Sequence, residues 1–96
     1  MKKSLDSLSI TSELIRASRA LLRWSQGELA RASGISLPTI KRLEAMPGIL
    51  AAHSSTVAAL RRALESAGIE FTDSNGPGLR LIVESKTKKP DDGAGL

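Results

Sequence analysis

The sequence predicts a mainly α-helical fold in which four helices are followed by a short C-terminal β-hairpin. Apolar residues recur at spacings of three and four, and small polar residues that can cap a helix precede these stretches. After residue 68 the apolar residues form two short runs that flank the turn-forming segment DSNGPG. Since aromatic residues make up only 2% of the chain, the core has to be built from Leu, Ile, Val and Ala.

The organisation of the chain suggests one domain between two tails. We expect residues 1–10 to be a disordered lead, residues 11–84 to form the folded domain, and residues 85–96 to be a disordered tail rich in Gly, Lys and Asp. No cysteine is present, which excludes disulfides and thiolate metal sites. No apolar stretch approaches the ~20 residues of a membrane span, so we expect a cytoplasmic protein without a membrane partner.

The first helix is expected over about residues 12–23 and should be amphipathic. Its predicted apolar face is formed by Leu14, Ile15, Ser18, Leu21 and Leu22. The other face is predicted to form a basic stripe of three arginines, Arg16, Arg19 and Arg23. For Arg16 and Arg23, the sequence is equally compatible with a solvated surface and with a phosphate-binding surface.

The second helix, about residues 26–33, has clear start and stop signals. Ser25 and Glu28 stand three positions apart and predict a capping box, while Trp24 before the cap predicts a hydrophobic staple. Gly34 is expected to end the helix in the left-handed conformation.

The remaining elements follow from similar signals. A third helix is predicted over about 37–45 with Ser36 as its cap, and a fourth over about 55–67 with a serine cap. A hairpin is predicted over about 69–83. Because an isolated hairpin is marginal in water, it should pack on the helices or on another chain.

Residues 26–45 therefore predict two helices joined by a short turn that contains glycine, the arrangement of a helix-turn-helix. Such a pair can place its second helix in the major groove of DNA. The net charge of +4 favours a polyanionic partner only moderately. A helical pair can equally be a packing unit without a function of its own.

The segment WSQGELARASGISLPTIKRLE resembles the phage-repressor (Cro-like, XRE-type) helix-turn-helix family. The resemblance covers most of residues 12–68. It implies a lambda-repressor-like domain that binds double-stranded DNA sequence-specifically and regulates transcription at the bacterial nucleoid, as a homodimer and without a cofactor. The family commonly has a fifth helix, where this chain is expected to have the hairpin. The matching motifs are Ser25-Gln26, Glu28-Leu29-Ala30, Gly34-Ile35-Ser36, Thr39-Ile40 and Leu43-Glu44.

The resemblance also implies roles for individual residues, with residues 37–45 as the recognition helix. Gln26 matches a residue that contacts the DNA backbone, while Arg19 and Glu44 match a structural ion pair. Arg42 is the best candidate to bind a guanine edge, and Lys41 is a candidate phosphate contact. The expected DNA-binding residues are Gln26, Ser36, Leu37, Pro38, Thr39, Lys41 and Arg42. Leu37 and Pro38 can offer only apolar contact or shape.

A different class of function remains open at this point. The chain could be a protein-interaction module, such as the antitoxin of a toxin–antitoxin pair, which would grip its partner with the C-terminal hairpin. The strand over residues 79–83 is also a candidate contact for a homodimer. An enzyme is not expected, because glycine-rich phosphate loops and nucleophile elbows are missing from the sequence. His53, the single histidine, lacks neighbours for a metal site.

Overall fold

A computed structural model describes residues 10–72 and 78–81, and its architecture is the predicted one: four helices followed by an antiparallel two-stranded hairpin. The predicted tails before residue 10 and after residue 84 lie outside the described residues, as do positions 82 and 83 of the predicted second strand. The elements are α1 (Ser12–Leu22), α2 (Gln26–Ser33), α3 (Leu37–Ala45), α4 (Ser54–Ser66), β1 (Ile69–Thr72) and β2 (Gly78–Leu81).

Helix α2 begins and ends as its sequence predicts. The Ser25 hydroxyl accepts a hydrogen bond from the Glu28 N–H at 3.0 Å, and the Glu28 carboxylate accepts one from the Ser25 N–H at 2.7 Å. At the other end Gly34 adopts a φ of +80° and donates its N–H to the Ala30 carbonyl at 2.9 Å. These local bonds satisfy backbone groups that a helix end would otherwise leave unpaired.

Helices α3 and α4 begin differently. The Ser36 hydroxyl caps α3 by accepting from the Thr39 N–H at 3.3 Å. Helix α4 starts one residue earlier than predicted, and its N-cap is His53 rather than a serine. His53 has an extended backbone, but its side chain makes no capping hydrogen bond. The chain thus becomes helical at Ser54, and the serine hydroxyls fall inside the first turn.

Two features of α1 differ from the prediction. The helix ends at Leu22 because Arg23 adopts a left-handed φ of +60°, and the Trp24 N–H then donates to the Arg19 carbonyl at 2.9 Å. Leu21, which was predicted to lie on the apolar face, is 45% exposed. Ile15, Ser18 and Leu22 of the predicted face are buried as expected, whereas Leu21 points away from the core.

The N-terminal boundary of the fold also lies earlier than predicted. Ile10, expected at the end of a disordered lead, is only 2% exposed and belongs to the core. The loop after α3 runs antiparallel to this segment, because the Leu50 N–H donates to the Ile10 carbonyl and the Ser12 N–H donates to the Gly48 carbonyl. Because the paired residues are far apart in the chain, no short-range sequence pattern predicts this pairing.

The hairpin packs against α1 and α4 rather than against α3. In its register Ile69 pairs with Leu81 and Phe71 with Leu79. Ile69 and Phe71 are buried, so the hairpin closes one end of the helical core. Helix α3 packs against α1 and α2, and the described strands do not cover its outer face.

Among the described residues, none of the helices combines the length and apolar character needed to cross a membrane.

Candidate nucleic-acid interface

Helix α3 has one anchored face and one exposed face. Ile40 and Leu43 are buried in the core and hold the helix against α1 and α2. Pro38, Lys41 and Arg42 are exposed on the opposite side. Lys41 and Arg42 form no hydrogen bond or ion pair with any residue that the structure describes. Both cations are therefore available to an external partner.

The first turn of α3 is more enclosed than the sequence alone indicates. Leu37 and Thr39 are half-buried, and Ser36 is exposed. The Ser36 hydroxyl donates to Thr39 Oγ1 at 2.9 Å, so the two predicted contact residues are bonded to each other. Of the predicted contact residues on α3, Pro38, Lys41 and Arg42 present the larger exposed surface.

A buried carboxylate ties the three N-terminal helices together. Glu44 on α3 is 5% exposed and receives two hydrogen bonds from Arg19 on α1, from Nε at 2.7 Å and from Nη2 at 2.6 Å. The ion pair that the resemblance implies is thus present in the structure. Such a two-pronged arginine–carboxylate pair has a defined geometry as well as a favourable energy.

Gln26 joins the same network, which the sequence reasoning missed. Its amide nitrogen donates to Glu44 Oε1 at 3.0 Å, although the residue was expected only as a contact to the DNA backbone. A glutamine amide carries two N–H donors, so one of them remains for another acceptor. The first residue of α2 is therefore bound to the end of α3.

Arg16 is a further residue whose role only the structure reveals. Its Nη1 donates to the backbone carbonyl of Glu44 at 2.8 Å, at the C-terminal end of α3. Arg19 Nη1 also donates to the Trp24 carbonyl at 3.0 Å. The spacing of these arginines predicted a shared face on α1, but not that the face is directed at α3. Together the bonds hold α1, α2 and α3 at fixed relative orientations.

A groove of about 310 Å³ lies beside α3, at the start of α4. Arg42 lines it together with the small residues Ala51 and Ala52. Because the His53 side chain does not cap α4, the first amides of this helix receive no side-chain acceptor from it. Helix N-termini attract anions. The lining residues are Thr39, Arg42, Ala51, Ala52, His53 and Thr56.

No cluster of three or more His, Cys, Asp or Glu side chains suited to a metal ion occurs within the described ranges. The pKa of Glu13 is lowered, mainly because its own backbone N–H and that of Gly48 donate to its carboxylate. The Gly48 bond measures 3.2 Å and connects α1 to the loop after α3. This acidic group therefore supports the loop.

Comparison with known proteins yields no match to a family model and no match among curated proteins. What the chain does is therefore inferred from the geometry of α3 and its surroundings, together with the motif resemblance noted above.

Proposed function

We propose that the chain is a sequence-specific DNA-binding regulator of transcription that acts in the bacterial cytoplasm, at the nucleoid. In this proposal it belongs to the phage-repressor-like helix-turn-helix family, and α3 lies in the major groove. The observation that supports this most directly is the pair Lys41 and Arg42. These cations are exposed and unpaired among the described residues, on a helix whose other face is fixed in the core.

The side chains of α3 have chemistry that suits distinct contacts. The guanidinium of Arg42 can donate twice to the O6 and N7 atoms of guanine, which would specify one base pair. Lys41 presents a point charge suited to a phosphate. Thr39 can contact a thymine methyl group or a phosphate, and Pro38 contributes shape. Leu37 is half-buried and has less surface to offer.

Backbone phosphates would then be held on both sides of the recognition helix. On one side is the N-terminus of α2, where the second amide N–H of Gln26 can donate to a phosphate oxygen. On the other side is the groove between Arg42 and the start of α4. Contacts of this kind position a protein on DNA without reading its sequence. The buried carboxylate of Glu44 would hold α2 and α3 in a fixed relative orientation.

One domain of this size covers a small DNA interface, so we propose a homodimer on a site with two-fold symmetry. The outer edge of β2 is the candidate contact, since a two-stranded hairpin leaves one edge of each strand unpaired. Deletion of residues 79–96 is then expected to convert the dimer to a monomer in light scattering. Circular dichroism of the deletion variant checks that the helices remain folded. A dimer that survives the deletion excludes this contact.

The alternative function, an antitoxin-like module that grips a protein partner with its hairpin, has less support. Binding of a protein partner by the hairpin would need an exposed apolar surface on the hairpin. In the described part of the hairpin, Ile69 and Phe71 are buried against the chain's own helices. Arg80 and Glu70, which form an ion pair at 2.6 Å, are directed outward instead. The two roles are compatible, but no described feature favours the second.

The decisive experiment is selection of bound sequences from a random pool of duplex DNA at a stated salt concentration. We expect enrichment of one sequence whose two halves are related by symmetry, and weaker binding to a scrambled duplex of the same composition. The Arg42→Ala variant, run in parallel, should enrich a site that is degenerate at one base pair of each half. Equal binding of selected and scrambled duplexes would reject sequence-specific recognition, and absence of binding would reject the proposal altogether.

A further inference from the structure

The turn between α1 and α2 contains an arginine in a backbone conformation that favours glycine. Arg23 has a φ of +60°. Within the described ranges the other left-handed positions are all glycines, Gly34, Gly48 and Gly68. A side chain in this conformation crowds the following carbonyl, so glycine would be the less strained residue here.

Contacts among the described residues do not account for the arginine at this position. Its side chain is exposed, and its guanidinium forms no hydrogen bond or ion pair with a described residue. By contrast, Arg16 and Arg19 on the same helix both bind Glu44. A cation near the C-terminus of α1 is favourable, but Arg19 already provides one in the last turn. The strained position therefore gains little from interactions within the described fold.

The location of Arg23 points to an external anion. It lies three residues before Gln26, so the two Cα atoms are at most about 11 Å apart. Gln26 is the residue through which α2 approaches a phosphate in the proposed complex. Residues in strained backbone conformations are concentrated at functional sites.

We propose that Arg23 is an additional DNA contact, whose guanidinium binds a backbone phosphate next to the one at the N-terminus of α2. This inference rests on the proposed function and extends its DNA footprint beyond the two helices of the helix-turn-helix. An arginine can donate two parallel hydrogen bonds to a phosphate, which a glycine at this turn cannot. The contact is independent of sequence, because it is made to the DNA backbone.

The test compares Arg23→Gly and Arg23→Ala with Arg62→Ala, which removes another exposed arginine, in the middle of α4. The affinity for the selected duplex is measured across a salt series. We expect both Arg23 variants to reduce the slope of log K against log salt by about 1. The affinity advantage of the wild-type chain over either variant should then shrink about fourfold between about 50 and about 200 mM salt. Arg62→Ala should leave the slope unchanged.

Thermal unfolding supplies a second readout that the DNA contact does not influence. Arg23→Gly should unfold at a temperature about 5 °C above that of Arg23→Ala, because only glycine relieves the left-handed strain. The inference is overturned if both Arg23 variants keep the wild-type salt slope, or if Arg62→Ala reduces that slope as much as they do. It is also overturned if Arg23→Gly and Arg23→Ala unfold at the same temperature. If the wild-type chain binds DNA but the Arg23 slopes are unchanged, only this inference fails. Absence of wild-type binding rejects the proposed function as well.

Discussion

The side-chain amide of Gln26 lies 3.0 Å from the carboxylate of Glu44, and this bond joins the first residue of α2 to the last full turn of α3. The same carboxylate is held by Arg19 from α1. A residue proposed to contact DNA is thus bonded directly to the buried anion that anchors the recognition helix. Any change at Glu44 should affect both the stability of the fold and the geometry of the DNA-binding surface.

Removal of one partner of this buried pair should be strongly destabilising. We expect Arg19→Ala to lower the free energy of unfolding by about 3 kcal/mol. The substitution leaves the Glu44 carboxylate buried without the cation that balances its charge. Chemical denaturation measures the change. Glu70→Gln is the matched control, since it breaks the exposed pair with Arg80 and should cost less than about 1 kcal/mol. Similar losses in the two variants would contradict a structural role for the Arg19–Glu44 pair.

The two cations of α3 should differ in what they contribute to DNA binding. Arg42→Ala is expected to cost about 1–3 kcal/mol of binding free energy and to relax specificity at one base pair, because a base contact is lost. Lys41→Ala should weaken binding to all duplexes alike and reduce the salt slope by about 1. Titration of the selected duplex and of single-base variants separates the two patterns. If neither substitution changes binding, α3 is not the reading helix.

Acid should destabilise the fold partly through Glu13. Its pKa in the folded state is lowered from the usual 4.5, because backbone N–H groups donate to the charged form. The folded state therefore binds the proton less readily than the unfolded state. The stabilisation is complete above pH 4.5 and is lost as the pH falls through the lowered pKa. In Glu13→Gln, unfolding followed from pH 6 to acidic pH should show a weaker pH dependence than the wild-type chain. Parallel curves would argue against this contribution.

The uncapped start of α4 leaves room for stabilisation. His53→Ser supplies a hydroxyl that can accept from an amide of the first turn, and should raise the free energy of unfolding by about 1 kcal/mol. The reverse experiment is Ser25→Ala. This substitution removes the cap of α2 and should lower the free energy of unfolding by about 1 kcal/mol. Thermal denaturation of both variants checks the signs. A His53→Ser variant no more stable than the wild-type chain would indicate that the position is constrained in another way.

Helix boundaries were most predictable where a side chain bonds to its own neighbouring backbone. The bounds of α2 and α3 are the predicted ones, since Ser25, Gly34 and Ser36 act within three or four residues of themselves. The start of α4 was less predictable, because several polar residues compete for the cap position and the histidine that occupies it makes no capping bond. The pair formed by Arg19 and Glu44 was accessible only through the family resemblance, since no local pattern relates residues on different helices.

The order of the helices, the turn between α2 and α3 and the apolar side of α3 can be read from the amino-acid sequence, because they depend on backbone chemistry and on periodicity. The pairing of Ile10 with Leu50, the exposure of Leu21 and the bond from Gln26 to Glu44 depend on how elements distant in sequence meet. Packing decides such contacts, since the free energy of burying a side chain depends on what surrounds it in three dimensions.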